Sequence, residues 1–498
     1  MDETQPLLPP SEAVLAAQHE HDSDPSIVAF DPKGDDENPL DWPVAYKWGI
    51  VGLLAFVAFT VTFTCISVVP VASHIVADLS GRPSKSASVL LVTIWELGEA
   101  AGPLLIAPLS EIYGRYPVFN AANLLFIVGV ALAALSQSTG LLIFARFLTG
   151  MAVASNVLNP AIVGDIFPTE SRGSAMSLMM LAPLIGGAVG PAIAGAIAQS
   201  TGWRQIMWMS IILATVCEVC FLTLFRETYQ VAILRRRAAR LREERQDETL
   251  KTAFDGKGGK GAESVIWTAI ARPARVFSSS FVLQILSLYG AVIFSFFYVM
   301  STTLPEILQN EYHMPPALIG SSFLSFSVGS MIGVIVCNTA IDRISTHLQH
   351  HGAHADGTPQ PENRLPLVIL GAFALPLTVT LYGWAASAHW PVSVLILSVA
   401  LMGFAVTLAI VPVTAYVVDA FGLYAASALT AVLIARCLMS TVLPLATAPL
   451  TARLGYGFGF MVLAAVCLVI APIPVVVMRY GRRWRQASEY TKDGGVAK

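Results

Sequence analysis

Five charged side chains interrupt stretches of sequence that are otherwise apolar: Glu96, Glu99, Arg146, Glu218 and Arg436. A charge at the centre of a bilayer costs about 2.5–3.5 kcal/mol on insertion scales, so such a side chain normally faces a cavity or a partner. A buried carboxylate favours protonation unless a cation lies nearby, so it can exchange a proton when its surroundings change. We therefore predict that Glu96 or Glu99 carries a proton, with Glu218 as a second such carboxylate.

The spacing of the first two carboxylates indicates where they point. On an ideal helix Glu96 and Glu99 lie about 60° apart, on a face that adjoins Gly98. The alternative interpretation is that they form permanent ion pairs with Arg146 or Arg436 and never exchange protons, because a buried charge must be compensated. Both interpretations require the two glutamates to face the protein interior.

Aromatic residues in the same apolar stretches suit the lining of an amphipathic pocket. Tyrosine and tryptophan combine a large apolar ring with one polar group, and rings of this kind line many sites for organic molecules. The alternative is that these rings only pack between helices. We predict substrate contacts for Trp95, Tyr298, Tyr416 and the cation Arg436, with Phe294, Phe296 and Phe297 as further lining residues.

The composition excludes an ordinary water-soluble protein. The 498 residues are 55% hydrophobic and 13% charged, with a mean hydropathy of +0.65. The net charge of -3 argues against nucleic-acid binding. All six cysteines fall in apolar runs, so neither disulfides nor a metal site is expected. Because no nucleotide-binding or nucleophile motif is present, we expect neither an enzyme nor a cofactor.

Twelve apolar stretches are long enough to cross a bilayer, which takes about 20 helical residues for about 30 Å of hydrocarbon. We therefore predict an all-α polytopic membrane protein with twelve transmembrane helices in two six-helix halves. The spans are 47–69, 87–108, 117–136, 141–162, 174–198, 204–225, 277–302, 317–341, 365–386, 390–412, 423–448 and 456–478.

Polar segments divide the chain and set its orientation. Most lysine and arginine residues outside the spans lie on one side of the membrane, and only Arg82, Lys85, Arg204 and Arg453 lie on the other, which places both termini in the cytosol. The expected divisions are a disordered cytosolic tail at 1–45, an N-terminal six-helix bundle at 46–226, a cytosolic central loop at 227–275, a C-terminal six-helix bundle at 276–478 and a cytosolic tail at 479–498. The start of the central loop is arginine-rich and predicts a basic helix.

The turn after the second span carries the most specific pattern. Residues 107–115 read APLSEIYGR and resemble the cytosolic signature of the major facilitator superfamily, G-x-x-x-D-x-x-G-R, with Ala107 and Glu111 in place of its glycine and aspartate. Gly114 permits a tight reversal. The resemblance implies that Glu111, Gly114 and Arg115 form a latch, since they can pair with charges or helix ends of the other bundle only when the cytosolic side is closed.

An internal repeat points to a second, weaker latch. Adding 231 to Gly102 and Glu111 gives Gly333 and Asp342, at the ends of the second and eighth spans. Parallel repeats of this kind build the two halves of many transporters. We therefore assign a gating role to Asp342 and its neighbour Arg343.

The fifth span carries a second family pattern. Residues 186–195 read GGAVGPAIAG and resemble the antiporter motif G-x-x-x-G-P-x-x-G-G of exporters in the same superfamily. Gly186 and Gly190 leave a smooth face on which another helix can pack closely, and Pro191 removes a backbone donor and bends the helix. The resemblance implies that these three residues act in gating during export.

Further segments narrow the resemblance to the fungal branch of the twelve-span drug:proton antiporter family. Residues 38–43, 164–173 and 225–229 resemble its preface to the first span, its turn after the fourth span and its signature after the sixth. The family also places an arginine at the position of Arg146 and assigns it to proton coupling. A structural ion pair is the alternative role for Arg146.

The resemblance implies a proton-coupled antiporter that exports a small organic solute such as a drug, a toxin or a secondary metabolite. Protons and the lipid bilayer are its other expected partners, and we expect a monomer in the plasma membrane. Because Arg146 and Arg436 suit a carboxylate, a dedicated organic-acid exporter is the alternative, and a transporter-like sensor is a further one. An acidic dileucine pattern at Glu3, Leu7 and Leu8 makes the vacuolar membrane the alternative location.

Overall fold

The structure is a computed structural model that describes residues 27–31, 34–168, 171–247, 249–252, 262–351, 360–488 and 490–491. Eleven helical stretches in this part of the chain are long and apolar enough to cross a membrane. The last of them, Ala425–Gln486, bends at Gly455, whose φ of 73° ends one helix and starts another. The eleventh and twelfth predicted spans lie on the two sides of this bend, so the twelve-span all-α fold is confirmed.

The first half of the chain contributes eight helices. They are α1 (Val44–Ile66), α2 (Ala72–Ser80), α3 (Lys85–Tyr113), α4 (Arg115–Ala134), α5 (Thr139–Met151), α6 (Ser155–Ile166), α7 (Arg172–Ser200) and α8 (Arg204–Leu224). Helices α5 and α6 together form the fourth span, which is interrupted at residues 152–154. The predicted spans of this half each lie on one of these helical stretches.

The second half contributes five long helices. They are α11 (Phe281–Asn310), α12 (Pro316–His351), α13 (Pro366–Ser387), α14 (Val392–Phe421) and α15 (Ala425–Ile470), followed by α16 (Ile473–Gln486). The seventh span starts later than the predicted residue 277, because Ser280 caps α11 by accepting a hydrogen bond from the amide of Leu283. The preceding residues Ala262–Ser279 form a separate helix, α10.

The polar segments before α1 and after α8 pack against each other. The basic helix predicted in the central segment is confirmed as α9 (Gln230–Arg245). Strand β1 (Ile27–Val28) pairs in parallel with β2 (Lys251–Thr252), and the carboxylate of Glu37 pairs with Arg240 at 2.7 Å. The described part of the stretch for which we expected disorder therefore lies against α9. The dileucine pattern at 3–8 lies outside the described residues.

Two seams hold the halves together. Helix α3 packs against α15, and helix α7 packs against α12. Within the first half, α7 also packs closely against α1, so α7 touches both halves at once. The end of the bundle that carries α9 is called the basic end below, and the other end is called the outer end. Both seams run between these ends. The contacts of side chains on α3 and α7 with the second half therefore change when the halves move.

Candidate functional site

Glu96 faces the second half of the protein. It lies on α3 and is only 2% exposed, and its Oε1 accepts a hydrogen bond of 2.7 Å from the hydroxyl of Tyr298 on α11. Its other oxygen, Oε2, is buried and has no hydrogen-bond partner among the described residues. A buried carboxylate oxygen without a donor is costly, so this position favours a proton or a cation. The predicted proton residue Glu96 and the predicted substrate residue Tyr298 thus meet across the seam.

Glu99 lies one turn further along α3 and also reaches the second half. Its Oε1 accepts a hydrogen bond of 2.7 Å from the side chain of Asn156 and lies 3.4 Å from Nη2 of Arg436 on α15. The guanidinium of Arg436 also covers the ring of Phe294 at 4.3 Å, a favourable contact between a cation and an aromatic face. Of the two arginines considered as partners, the structure therefore pairs Arg436 with Glu99.

Arg146 has a different environment from the one expected of an ion pair. It is 1% exposed, and it donates hydrogen bonds to the carbonyl oxygens of Thr64 and Cys65 at 3.1 and 2.7 Å. These carbonyls belong to the last turn of α1, where the helix dipole places partial negative charge. The guanidinium also covers the ring of Trp95 at 4.5 Å. Within the described part of the chain no carboxylate pairs with Arg146, so the alternative of a structural ion pair is wrong for this conformation.

Two predicted site residues lie away from this cluster. Glu218 on α8 accepts a hydrogen bond of 2.8 Å from the side chain of Asn123 on α4, inside the first half. Tyr416 on α14 is fully buried at the basic end, beside the ion pair of Arg485 and Glu362. The structure therefore does not bring Glu218 or Tyr416 to the seam that holds Glu96 and Glu99. Their apolar sequence context identified burial, but it carried no information about which helix they would face.

The latch residues at the basic end are held inside the first half. Arg115 is 2% exposed, its Nε lies 3.2 Å from Oδ2 of Asp165, and its Nη1 donates to the hydroxyl of Ser110 at 2.6 Å. Its guanidinium covers the ring of Tyr229 at 4.8 Å, and burial raises the pKa of that phenol to about 12. In this conformation Arg115 is therefore anchored to its own half. Its pairing with the opposite bundle when the cytosolic side is closed stays a prediction.

Glu227 contacts the turn of the latch, and our sequence reasoning did not single it out. Its carboxylate accepts hydrogen bonds from the backbone amides of Arg115 at 2.8 Å and Tyr116 at 3.3 Å. Those amides belong to the open first turn of α4, which attracts negative charge. The only available signal was that Glu227 falls in the segment 225–229, which resembles the family signature.

The other latch residues are separated in space. Glu111 is half-buried near the guanidinium groups of Arg115 and Arg272, the latter on α10. The side chain of Asp342 lies outside the described residues. Arg343 is exposed and forms no ion pair with any side chain that the structure describes. Among the described side chains, Arg343 of the second latch makes no ion pair with Glu111 of the first. The cation that faces Glu111 from outside its own bundle is Arg272.

The glycine motif of α7 lies where two helices approach it. A Cβ on Gly186 would lie 2.7 Å from the carbonyl oxygen of Phe59, and one on Gly190 would lie 3.1 Å from that of Phe63. On its other side, the carbonyl of Pro191 occupies the space that a side chain on Gly320 of α12 would need. Helix α7 can therefore pack against α1 and α12 simultaneously because these positions lack side chains.

At the outer end a pair of charges bridges the halves. Lys85 at the start of α3 lies 2.8 Å from Glu306 on α11. Further along the seam, the hydroxyl of Thr441 on α15 donates to the backbone carbonyl of Thr93 at 3.2 Å. These contacts join the two halves at the outer end of the α3 seam, beyond Glu96 and Glu99.

Two helical halves that meet at buried, oppositely charged side chains define the class of secondary carriers that move by rocking one half against the other. The chain belongs to the Major Facilitator Superfamily, whose sequence profile matches residues 52–444. It is a multi-pass membrane protein of a transporter family.

Curated relatives match almost the whole chain. The chain is 32% identical to the efflux pump radE of Floropilus chiversii, over 94% of this chain and 86% of that protein. It is 33% identical to the MFS transporter cpaT of Aspergillus oryzae, over 93% of this chain and 92% of that protein. It is 32% identical to the MFS-type transporter penM of Penicillium rubens, over 94% and 91%.

Solved structures share the fold at low sequence identity. The xylose transporter XylE of E. coli, in a partially occluded inward-open conformation, matches with a TM-score of 0.62 at 15% identity, over 88% of this chain and 98% of that chain. The human organic anion transporter MFSD10 matches with a TM-score of 0.58 at 17% identity, over 87% and 100%. These similarities establish the two-half helical fold.

Proposed function

We propose that the protein is a proton-coupled efflux antiporter that exports a small organic solute, such as a drug, a toxin or a secondary metabolite, from the cytosol. One observation carries the proposal: Glu96 and Glu99 on α3 contact Tyr298 and Arg436 on the other half. Any rocking motion must change these contacts, and with them the environment of both carboxylates. One relative named as an efflux pump and others named as transporters support export as the direction of transport.

In the proposed cycle, Glu99 alternates between its ion pair with Arg436 and a bound proton. While Arg436 lies beside it, the guanidinium compensates the negative charge of the carboxylate. When the halves separate toward the outer side and the substrate has left, Glu99 loses its cation and takes up a proton, which resets the carrier. On the cytosolic side Glu99 releases this proton before or as the next substrate binds, so proton and substrate cross in opposite directions. Glu96 with Tyr298 offers a neighbouring site for the proton. Arg146 has the role of holding Trp95 and the end of α1 in place, and Glu218 is left as a secondary proton candidate inside the first half.

The latch and the glycine motif provide the gates of this cycle. Arg115 and Gly114 fix the turn between α3 and α4, and Glu111 faces Arg272 at the basic end. Gly186, Gly190 and Pro191 allow the α7 seam to close. We place the basic end in the cytosol, with Asp342 and Arg343 as a weaker second latch, because positively charged segments favour the cytosolic side.

An organic-acid exporter is the second candidate, and one observation favours it. The Arg436 side chain keeps 27% of its surface exposed, and its ion pair with Glu99 is a long 3.4 Å. A substrate carboxylate could replace Glu99 as the partner of Arg436, with the ring of Phe294 beneath both. In that case, neutralising Arg436 would abolish binding of acids and spare neutral compounds.

The decisive experiment uses the purified full chain in vesicles with an imposed pH gradient and a panel of organic acids, bases and neutral compounds. We expect gradient-driven uptake of a subset, with Glu99→Gln losing the effect of the gradient and keeping substrate exchange at equal pH. Glu244→Gln, at an exposed position on α9, is the matched control. Gradient-driven transport that survives Glu99→Gln and Glu96→Gln together would contradict the proposal.

The proposal includes a monomeric carrier in the plasma membrane. Fluorescence microscopy of the tagged full chain checks the location, and Leu7→Ala with Leu8→Ala checks the dileucine pattern. Labelling of the vacuolar membrane that shifts to the cell surface in this variant would establish the alternative location. Measuring the mass of the protein in small nanodiscs tests whether it is a monomer.

A further inference from the structure

We infer that Glu96, Glu99 and Cys437 form a binding site for a thiophilic divalent cation such as Zn²⁺, which ties the two halves together. One ligand atom from each of these residues lies within 4.8 Å of the other two, and all three residues are buried. The two carboxylates come from α3 in the first half, whereas the thiol comes from α15 in the second. Zn²⁺ binds to both carboxylate oxygens and cysteine thiolates, so these three side chains are suitable ligands for it.

Donors hold one oxygen of each carboxylate, and Glu96 keeps its other oxygen without a donor. Tyr298 donates to Oε1 of Glu96, and Asn156 and Arg436 both address Oε1 of Glu99. The second oxygen of Glu96 is buried and has no hydrogen-bond partner in the described part of the chain. Donors that hold one oxygen of a ligating group fix the orientation of the other, which is how proteins prepare metal ligands.

The charges around the site balance when a divalent cation is bound. Two carboxylates and one thiolate carry three negative charges, and the ion supplies two positive charges. Arg436 supplies the third, and it can keep its contact with the ring of Phe294 at 4.3 Å. Buried charges need compensation of this kind, so the arginine supports the bound state rather than excluding it.

The geometry also predicts a mechanical effect. Zinc–sulfur and zinc–oxygen bonds of about 2.3 and 2.0 Å place ligand atoms about 3.5 Å apart in a tetrahedral site. The three ligand atoms lie within 4.8 Å of one another, close to this arrangement. A bound ion would hold α3 and α15 together, so it would stop the rocking motion and inhibit transport.

The test is a titration of the purified full chain with Co²⁺, which replaces Zn²⁺ and reports its ligands by absorption. We expect the charge-transfer band of a thiolate bound to Co²⁺, and we expect Zn²⁺ but not Mg²⁺ to abolish it. Cys437→Ser should remove the band, whereas Cys467→Ser, at an equally buried position on the same helix, should leave it unchanged. Glu96→Gln and Glu99→Gln should each weaken Co²⁺ binding by about tenfold or more.

The readout is metal binding, so it does not depend on the substrate or on proton exchange. A spectrum that is the same in the wild type and in Cys437→Ser would overturn the inference. So would a band that depends on Cys437 and is insensitive to both glutamate variants. If a glutamate variant does not fold, a second measurement tests the site: thermal unfolding of the wild type and of Cys437→Ser, each with and without Zn²⁺. Only the wild type should gain stability from the ion.

Discussion

The carboxylate of Glu227 accepts a hydrogen bond of 2.8 Å from the backbone amide of Arg115, so a residue after the sixth span caps the helix of the third. The same carboxylate also accepts from Tyr116 and lies 3.6 Å from the guanidinium of Arg236 on α9. The turn of the family signature is therefore stabilised by the start of the central segment. Movements of α9 would reach Arg115 through Glu227, and also through Tyr229, whose ring lies under the Arg115 guanidinium.

Removing this cap should destabilise the protein measurably. We expect Glu227→Ala to cost about 0.5–2 kcal/mol, the range found when a capping side chain is lost. The midpoint of thermal unfolding in detergent is the measurement, with Glu244→Ala on the exposed face of α9 as the control. Equal midpoints for the two variants would show that water replaces the cap without cost.

Gly114 should be intolerant of any side chain for two separate reasons. Its φ is +100°, where a Cβ is strained by about 1–2 kcal/mol, and the added methyl would collide with the carboxylate of Glu227. Gly114→Ala should therefore lower the unfolding midpoint and weaken transport together. Gly140→Ala, in the first turn of α5 with open space around it, should change stability by less than about 0.5 kcal/mol. A wild-type midpoint for Gly114→Ala would count against the observed turn.

Hydropathy was sufficient to predict the twelve spans, because each helix that faces lipid must satisfy its backbone internally and be apolar over its full length. The cost of burying charge likewise identified Glu96, Glu99 and Arg436 as interior residues. The contacts of Tyr298 with Glu96 and of Asn156 with Glu99 depend on the rotation of α11 and α6 about their axes. That rotation is set by packing between helices, which the pattern of a single helix does not contain.

The closest approach between the halves should tolerate no methyl group. A Cβ on Gly320 would collide with the carbonyl of Pro191, so Gly320→Ala must push α12 away from α7. We expect a loss of about 1–3 kcal/mol, the usual cost of overpacking, together with slower transport. The measurements are the unfolding midpoint and the rate of substrate exchange in vesicles. Gly187→Ala, whose Cβ would make an ordinary contact at 3.7 Å, is the control, and equal behaviour of both variants would contradict the packing.

The ion pair between Lys85 and Glu306 should act on the conformational equilibrium more than on stability. Both side chains are about one-third exposed, so the pair contributes only about 0.2–1 kcal/mol. Because the ion pair joins the two halves, its loss should raise the ratio of open to closed molecules at the outer end by up to about fivefold. The measurement is the labelling rate of Ser88→Cys by an impermeant thiol reagent, in the presence and absence of Glu306→Gln. Glu311→Gln, which removes a contact to His389 in the same half, should leave that rate unchanged.

Acid should release the N-terminal residues from α9. Burial acts to raise the pKa of Asp35, but hydrogen bonds from Arg237 and from the amides of Glu37 and Asp31 outweigh it, so the pKa lies below its ordinary value of 3.8. A carboxylate with a lowered pKa in the folded state stabilises that state fully above its ordinary pKa, and the contribution is lost as the pH falls through the lowered value. We therefore expect the attachment to survive at about pH 5 and to weaken below about pH 4.

Limited proteolysis at decreasing pH measures this attachment, with an acid-active protease and the rate of cleavage within residues 34–43 as the readout. Asp35→Asn should be cleaved rapidly at every pH, because the ion pair with Arg237 is absent throughout. Asp36→Asn, at the exposed neighbouring position, should follow the wild type. A pH dependence that persists in Asp35→Asn would assign the release to another carboxylate, and Glu37, which pairs with Arg240 at 2.7 Å, would be the one to replace next.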